Sequence, residues 1–297
     1  MSDGGKYYVP HSSKWPIVTA LSLGIMAVGA AACFHGDSFG PYVLFIGFIG
    51  VIFIMYGWFS NVVNESQSGL YSEQMNRTFR WGMFWFIFSE VMFFAGFFSA
   101  LFYARNFSIP WLGGIGPATK LGTHEFLWPN FVAQWPLLNN PNPQIFPNPL
   151  HDMPPLWLPL FNTLALLISS VTITIAHHAL IDNKRQLLKY MLLATILLGT
   201  AFLCLQAFEY HEAYSEFKIR LDSGIYGTTF FMLTGFHGVH VTIGVIMLTT
   251  ILLRCMKGHF TPEAHFGFQA SAWYWHFVDV VWLSLFIYVY VLPLRAN

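Results

Sequence analysis

Apolar residues run along this chain in long blocks separated by short polar breaks. Residues 15–34 form the first block, entered through Lys14 and closed by His35-Gly36-Asp37, and residues 42–63 form the second, introduced by Gly40-Pro41. A polar connector, residues 64–78, leads to a third block at 79–104. Four more follow at 156–180, 190–208, 225–253 and 270–292, the first of them tolerating Pro159 in its opening turn. An α-helix rises about 1.5 Å per residue, so each block is long enough to cross a hydrocarbon core of about 30 Å. The pattern predicts an all-α membrane protein of seven transmembrane helices. Residues 105–155 are the exception, holding ten of the sixteen prolines, a density that forbids regular helix or central strand. The tryptophans of this loop (Trp111, Trp128, Trp135) suit a segment lying on the membrane interface. The organisation read from the pattern is residues 1–63 with two helices, a connector at 64–78, and residues 79–297 with five helices and the long loop.

Composition supports the membrane assignment. Of 297 residues, 55% are apolar and 9% charged, with a mean hydropathy of +0.52. A soluble domain carries about 25% charged residues, so most of this surface does not face water. Net charge is zero and no basic run occurs, which gives no argument for nucleic acid. Cys33, Cys204 and Cys255 are isolated in or beside apolar blocks, and no Cys-x-x-Cys-His is present for covalent haem attachment. The first fourteen residues are polar and the block after them is full-length, so it reads as an uncleaved span, although Ala30 to Ala32 could mimic a signal cleavage site.

Lysine and arginine suggest orientation. With the N-terminus inside, that side holds Lys6, Lys14, Arg77, Arg80, Lys184, Arg185, Lys189, Arg254 and Lys257. The other holds Arg105, Lys120, Lys218, Arg220 and Arg295. Nine against five favours a cytoplasmic or matrix N-terminus.

Between Arg80 and Arg105 the third block carries one charged residue, Glu90, about 15 Å along the helix. Charge at that depth is costly and usually faces a bundle interior, so Glu90 is a candidate functional carboxyl, with a protonated Glu gluing helices as the plainer reading. On the last block His276 and Asp279 lie three residues apart on one face, and His237 and His240 share that spacing on the sixth. Glu90 and Asp279 fall at a common depth. The expectation is that one of them is kept neutral or partnered by a neighbouring histidine. Glu209-Tyr210-His211-Glu212 and His177-His178 lie at helix ends, where contact with water and headgroups accounts for them. Arg254, Lys257 and His259 form a small basic group suited to a lipid phosphate or to plain inside bias. Twelve histidines raise the question of a metal, but they are split between faces and depths, so no metal site is expected. Glu90 and Asp279 also suit a stand-alone proton-coupled transporter, though no inverted repeat or broken midplane helix is evident.

Several segments resemble subunit III of the haem-copper cytochrome c oxidases. They are Ser89-Glu90-Val91-Met92-Phe93-Phe94, Ala176-His177-His178, Gln206-Ala207-Phe208-Glu209-Tyr210, Gly235-Phe236-His237-Gly238-Val239-His240 and His265-Phe266-Gly267-Phe268. The most specific is Trp273-Tyr274-Trp275-His276-Phe277-Val278-Asp279-Val280-Val281-Trp282-Leu283. All stand in family order, and Asn64-Glu65-Ser66 also fits.

That resemblance implies seven helices, the first two splayed from the other five to leave a V-shaped cleft holding phospholipids. It implies a non-catalytic subunit with no haem or copper of its own, those centres lying in partners, the catalytic subunit I and the copper-bearing subunit II. The implied role is to support proton uptake and to protect the complex during turnover. By position Glu90 is the family's intramembrane carboxyl, with His276, Asp279, His237 and His240 its possible polar partners. Arg80, Arg254, Lys257 and His259 fall at lipid-headgroup positions. Seven helices favour cytochrome c over quinol as donor to the complex. Two departures stand out: Gln269 replaces an expected Glu, and the loop at 121–149 is longer than in mitochondrial relatives. The second favours a bacterial inner membrane over a mitochondrial one.

Overall fold

Helices account for every apolar block. The computed structural model describes residues 8–9, 12–115, 122–154 and 156–292. Lys6, Lys120 and Arg295 of the charge count, and Leu121 and Pro155 at the loop borders, lie outside the described residues. The helices are α1 (Trp15–His35), α2 (Gly40–Gln67), α3 (Glu73–Tyr103), α4 (Ile109–Leu112), α5 (Thr123–Leu127), α6 (Leu158–Ile181), α7 (Arg185–Ser215), α8 (Gly224–Met256) and α9 (Phe266–Leu285). Wide π-helical turns at Ala104–Ser108 and Phe286–Val291 follow α3 and α9. Among the described residues there is no strand, and seven helical spans are long and apolar enough to cross a membrane. The chain is an all-α, multi-pass membrane protein.

The helices outrun their apolar blocks. α2 continues through Asn64, Glu65 and Ser66 to Gln67, and α3 starts at Glu73, so the connector shrinks to residues 68–72 around Gly69 (φ +71°). α7 extends from Arg185 to Ser215, well beyond residues 190–208. Polarity marks where a helix leaves hydrocarbon, not where its backbone bonding stops. The long loop also begins later than residue 105, because helix persists through the wide turn to Leu112. That turn lies ahead of Pro110, whose ring offers no N–H to the Asn106 carbonyl.

The chain divides into two compact units, Met1–Trp81 and Gly82–Asn297. In the first, α1 and α2 pack at unusually short range through glycine. A Cβ added at Gly40 or Gly47 would stand 2.6 Å from the backbone nitrogen of Cys33 or Met26 respectively. Small residues allow this approach, which matters in lipid because dispersion and not water exclusion holds membrane helices together.

The second unit holds an antiparallel bundle of α6, α7, α8 and α9, with α3 laying Phe93 and Phe94 against Phe236 and Phe277. Trp275 and Trp282 of α9 are buried to 0% and 1% exposure at its centre. Their indole N–H groups donate to Ser169 Oγ and Thr163 Oγ1 on α6, each at 2.9 Å. Gly199 and Gly244 leave the space that the Trp275 ring fills.

The proline-rich loop is anchored to this unit. The Asn140 side-chain amide donates to the carbonyls of Phe146, Pro147 and Ser223 at 3.1–3.2 Å, and the Leu150 N–H donates to the Phe217 carbonyl at 2.8 Å. Trp135 is buried against Tyr226, with ring centroids 5.7 Å apart, so it belongs to the core and not to a membrane interface as expected; Trp111 does remain exposed. A loop too rich in proline for helix thus gains order from side-chain bonds to its neighbours.

Candidate functional site

The third span places Glu90 on the face of α3 that meets α8. There Glu90 Oε2 lies 2.9 Å from His240 Nε2, with the two side chains 22% and 12% exposed. His240 Nδ1 lies 2.6 Å from the Phe236 carbonyl, one turn back on α8. That carbonyl can only accept, so the Nδ1 proton is assigned to it. In a neutral ring Nε2 then has a lone pair, and the contact with Glu90 requires one proton between them. Whether that proton sits on oxygen or nitrogen, the pair carries no net charge, which suits an apolar span. Phe94 meets the imidazole edge-on at 5.0 Å and Phe93 lies 5.9 Å away, so aromatic rings flank the pair.

The other intramembrane candidates separate. His237 is three residues from His240, yet it turns to the bundle centre, fully buried, where Nε2–H donates to the Val278 carbonyl at 3.1 Å and Nδ1 has no partner. A pair three apart on a buried helix subtends about 60°, enough to serve two different neighbours. His276 and Asp279 both turn toward α6. His276 Nδ1 lies 2.7 Å from Ser170 Oγ and Nε2 lies 3.5 Å from Thr174 Oγ1. Asp279 is 4% exposed, with Ser170 beside it and neither carboxyl oxygen in a hydrogen bond of ordinary geometry. Glu90 and Asp279 therefore have separate surroundings, and only Glu90 meets a histidine.

At the helix ends, His177 stacks on Phe268 with ring centroids 5.6 Å apart and lies 5.3 Å from the His265 ring. Glu209 is fully buried and accepts the Tyr290 hydroxyl proton at 2.6 Å, a link that sequence reading did not anticipate. Ser169, Ser170 and Thr174 were missed as well, although hydroxyls in the middle of an apolar helix were a usable signal. Among the described residues, no group of three or more His, Cys, Asp or Glu side chains could hold a metal ion.

Among the described residues, Arg254, Lys257 and His259 form a basic group without an acidic partner at the end of α8. Arg254 lies over the Phe260 ring at 4.3 Å, its Nε buried without a partner, and the Arg185 guanidinium donates to the Phe260 carbonyl at 2.8 Å. Burial, and then the positive charges of Arg254 and Lys257, hold the His259 imidazole below its usual range. Arg80 is exposed on α3 in the first unit. In the same unit the Tyr71 hydroxyl donates to Glu65 Oε2 at 2.8 Å, and burial together with that carboxylate pushes its pKa well above the usual phenol range.

The sequence profile of the family "Cytochrome c oxidase subunit III" matches residues 5–293. The chain is 42% identical over 285 residues to the protein named cytochrome c oxidase subunit 3 from Oryctolagus cuniculus, covering 96% of both chains. The equivalents from Dugong dugon and Struthio camelus are 41% and 40% identical, with the same coverage. With a family match across nearly its whole length and relatives at this identity, the chain belongs to the cytochrome c oxidase subunit III family.

Proposed function

We propose that this chain is a non-catalytic accessory subunit of a proton-pumping cytochrome c oxidase, and that Glu90 with His240 is its functional site. The observation carrying the reading is the Glu90–His240 contact at 2.9 Å in an apolar span, a proton-sharing pair. In this reading haem and copper belong to the catalytic subunit I and the copper-bearing subunit II. Cytochrome c donates electrons to the complex and not to this chain. The pair buffers a proton near the catalytic subunit and supports its proton uptake and stability during turnover. Phospholipids bind this subunit, with Arg80, Arg254, Lys257 and His259 receiving headgroup phosphates. Among the described residues the positive charges of Arg254 and Lys257 have no acidic partner, and the partnerless Arg254 Nε beside them supports that role. The lysine and arginine asymmetry supports an inside N-terminus, and the long proline-rich loop supports a bacterial inner membrane.

The test is oxygen consumption by the purified complex with this chain intact, stripped away, or carrying Glu90→Gln. The expected result is an initial rate mostly retained in all three, with faster decay over successive turnovers in the stripped complex and in Glu90→Gln. Abolished initial turnover in a fully assembled Glu90→Gln complex would contradict the accessory role. Purification as a solitary, colourless protein even under the mildest extraction would favour a stand-alone proton-coupled transporter.

A further inference from the structure

Where α6 ends and α9 begins, two histidines that the Glu90 site does not use come together. His177 lies in the last turns of α6, and His265 is the residue from which α9 starts. Their ring centroids are 5.3 Å apart, with the rings tilted at 61°. Phe268 stacks on the His177 ring at 5.6 Å and holds it in place. Among the described residues, the buried His177 Nε2 has no hydrogen-bond partner. His265 Nδ1 lies 3.3 Å from the Thr261 carbonyl, which can only accept, so the ring proton is assigned to Nδ1 and Nε2 keeps a lone pair. One turn along α9, Gln269 Oε1 is a second buried atom without a partner among the described residues. The Gln269 N–H donates to the His265 carbonyl at 3.1 Å, so these two side chains share a helix face.

These donors have the chemistry of a site for a borderline divalent cation. An imidazole nitrogen binds Zn2+ at about 2.0–2.1 Å, which puts the ion about 3.2 Å from the ring centroid. Two imidazoles on one tetrahedral ion therefore have centroids about 5.2 Å apart. The observed separation is 5.3 Å. Ring packing alone would account for that distance, but it leaves the buried His177 nitrogen unsatisfied. The bond from His265 Nδ1–H to a backbone carbonyl is also the arrangement that fixes the tautomer and aim of a metal-binding imidazole.

We infer that His177 and His265 form a binding site for Zn2+ or a similar divalent cation. The Nε2 atoms of the two rings are its ligands, Gln269 Oε1 is the third donor, and water takes the fourth position. A bound ion ties the end of α6 to the start of α9. His178 takes no part: it is turned about 100° from His177 around α6 and is exposed. The site is independent of the role proposed for Glu90.

The test uses the purified full chain in detergent micelles, without a histidine tag, stripped by a chelator and then titrated with Zn2+. Equilibrium dialysis should find a single zinc ion per chain, X-ray absorption should show imidazole ligands, and the thermal midpoint should rise with zinc concentration. His177→Gln and His265→Gln should each weaken binding about a hundredfold and remove the thermal shift. Gln269→Ala should weaken it about tenfold, and His178→Gln should leave it unchanged. Binding that is undiminished in His265→Gln overturns the inference, as does an absorption spectrum without imidazole ligands. An equal loss in His178→Gln overturns it too, by showing an adventitious surface ion only. If His177→Gln fails to fold, His265→Gln, in the connection ahead of α9, still decides.

Discussion

Breaking the Glu90–His240 contact should cost a definite and modest amount. The contact joins α3 to α8 at 2.9 Å, with the carboxyl 22% and the imidazole 12% exposed. Interhelical hydrogen bonds in membranes average about 0.6 kcal/mol and reach about 1.7, because unfolded helices in lipid also find partners. This contact is short, and removing either side leaves a largely buried polar atom alone. A double-mutant cycle of Glu90→Ala and His240→Ala should therefore give a coupling energy of about 1–2 kcal/mol. Glu90→Gln places an amide N–H against the same Nε2 lone pair and should cost less than about 0.5 kcal/mol. The assay is a reversible denaturing-detergent titration of the purified chain in micelles. A coupling energy below about 0.3 kcal/mol, within the additivity error of independent sites, would refute the pairing argument. So would Glu90→Gln proving as costly as Glu90→Ala.

Three further outcomes follow from the geometry. Gly47→Ala puts a Cβ 2.6 Å from the Met26 backbone nitrogen, so α1 and α2 must separate; the same titration should record a loss of about 1–3 kcal/mol in the first unit. Asn140→Ala strips the donor from three carbonyls and should cost about 1–3 kcal/mol, seen as faster proteolysis within residues 113–157. His259 is depressed by burial and by Arg254 and Lys257, so its contribution to stability is full above the ordinary imidazole pKa of about 6.5. That contribution fades as pH falls through the lower folded value. Thermal melts in neutral detergent should show wild type losing more stability than His259→Gln on acidification, and anionic phospholipid should reduce that loss.

How far the sequence reaches is clear from particular residues. Seven apolar blocks dictate seven spans because lipid admits only backbone that bonds within its own helix, and block length follows from bilayer thickness. Helix ends were less legible. Asn64 to Ser66 and Arg185 to Lys189 are polar yet helical, because hydropathy records the surrounding medium and helical bonding continues past it.

Glu90, Asp279 and the histidines on α8 and α9 could be singled out from sequence, since charge or imidazole in an apolar span is rare for a physical reason. Their partners could not. His237 and His240 look equivalent at a spacing of three, yet one turns to the Val278 carbonyl and the other to Glu90. Equal depth suggested that Glu90 and Asp279 belonged together, and packing put them on different neighbours. Trp135 reads as an interfacial tryptophan until the loop folds back and buries it against Tyr226. Sequence alone determines which residues are too polar for their surroundings, because transfer free energy belongs to the residue. Which groups satisfy them is decided by helix rotation and the approach of neighbouring helices, and these arise only when the bundle packs.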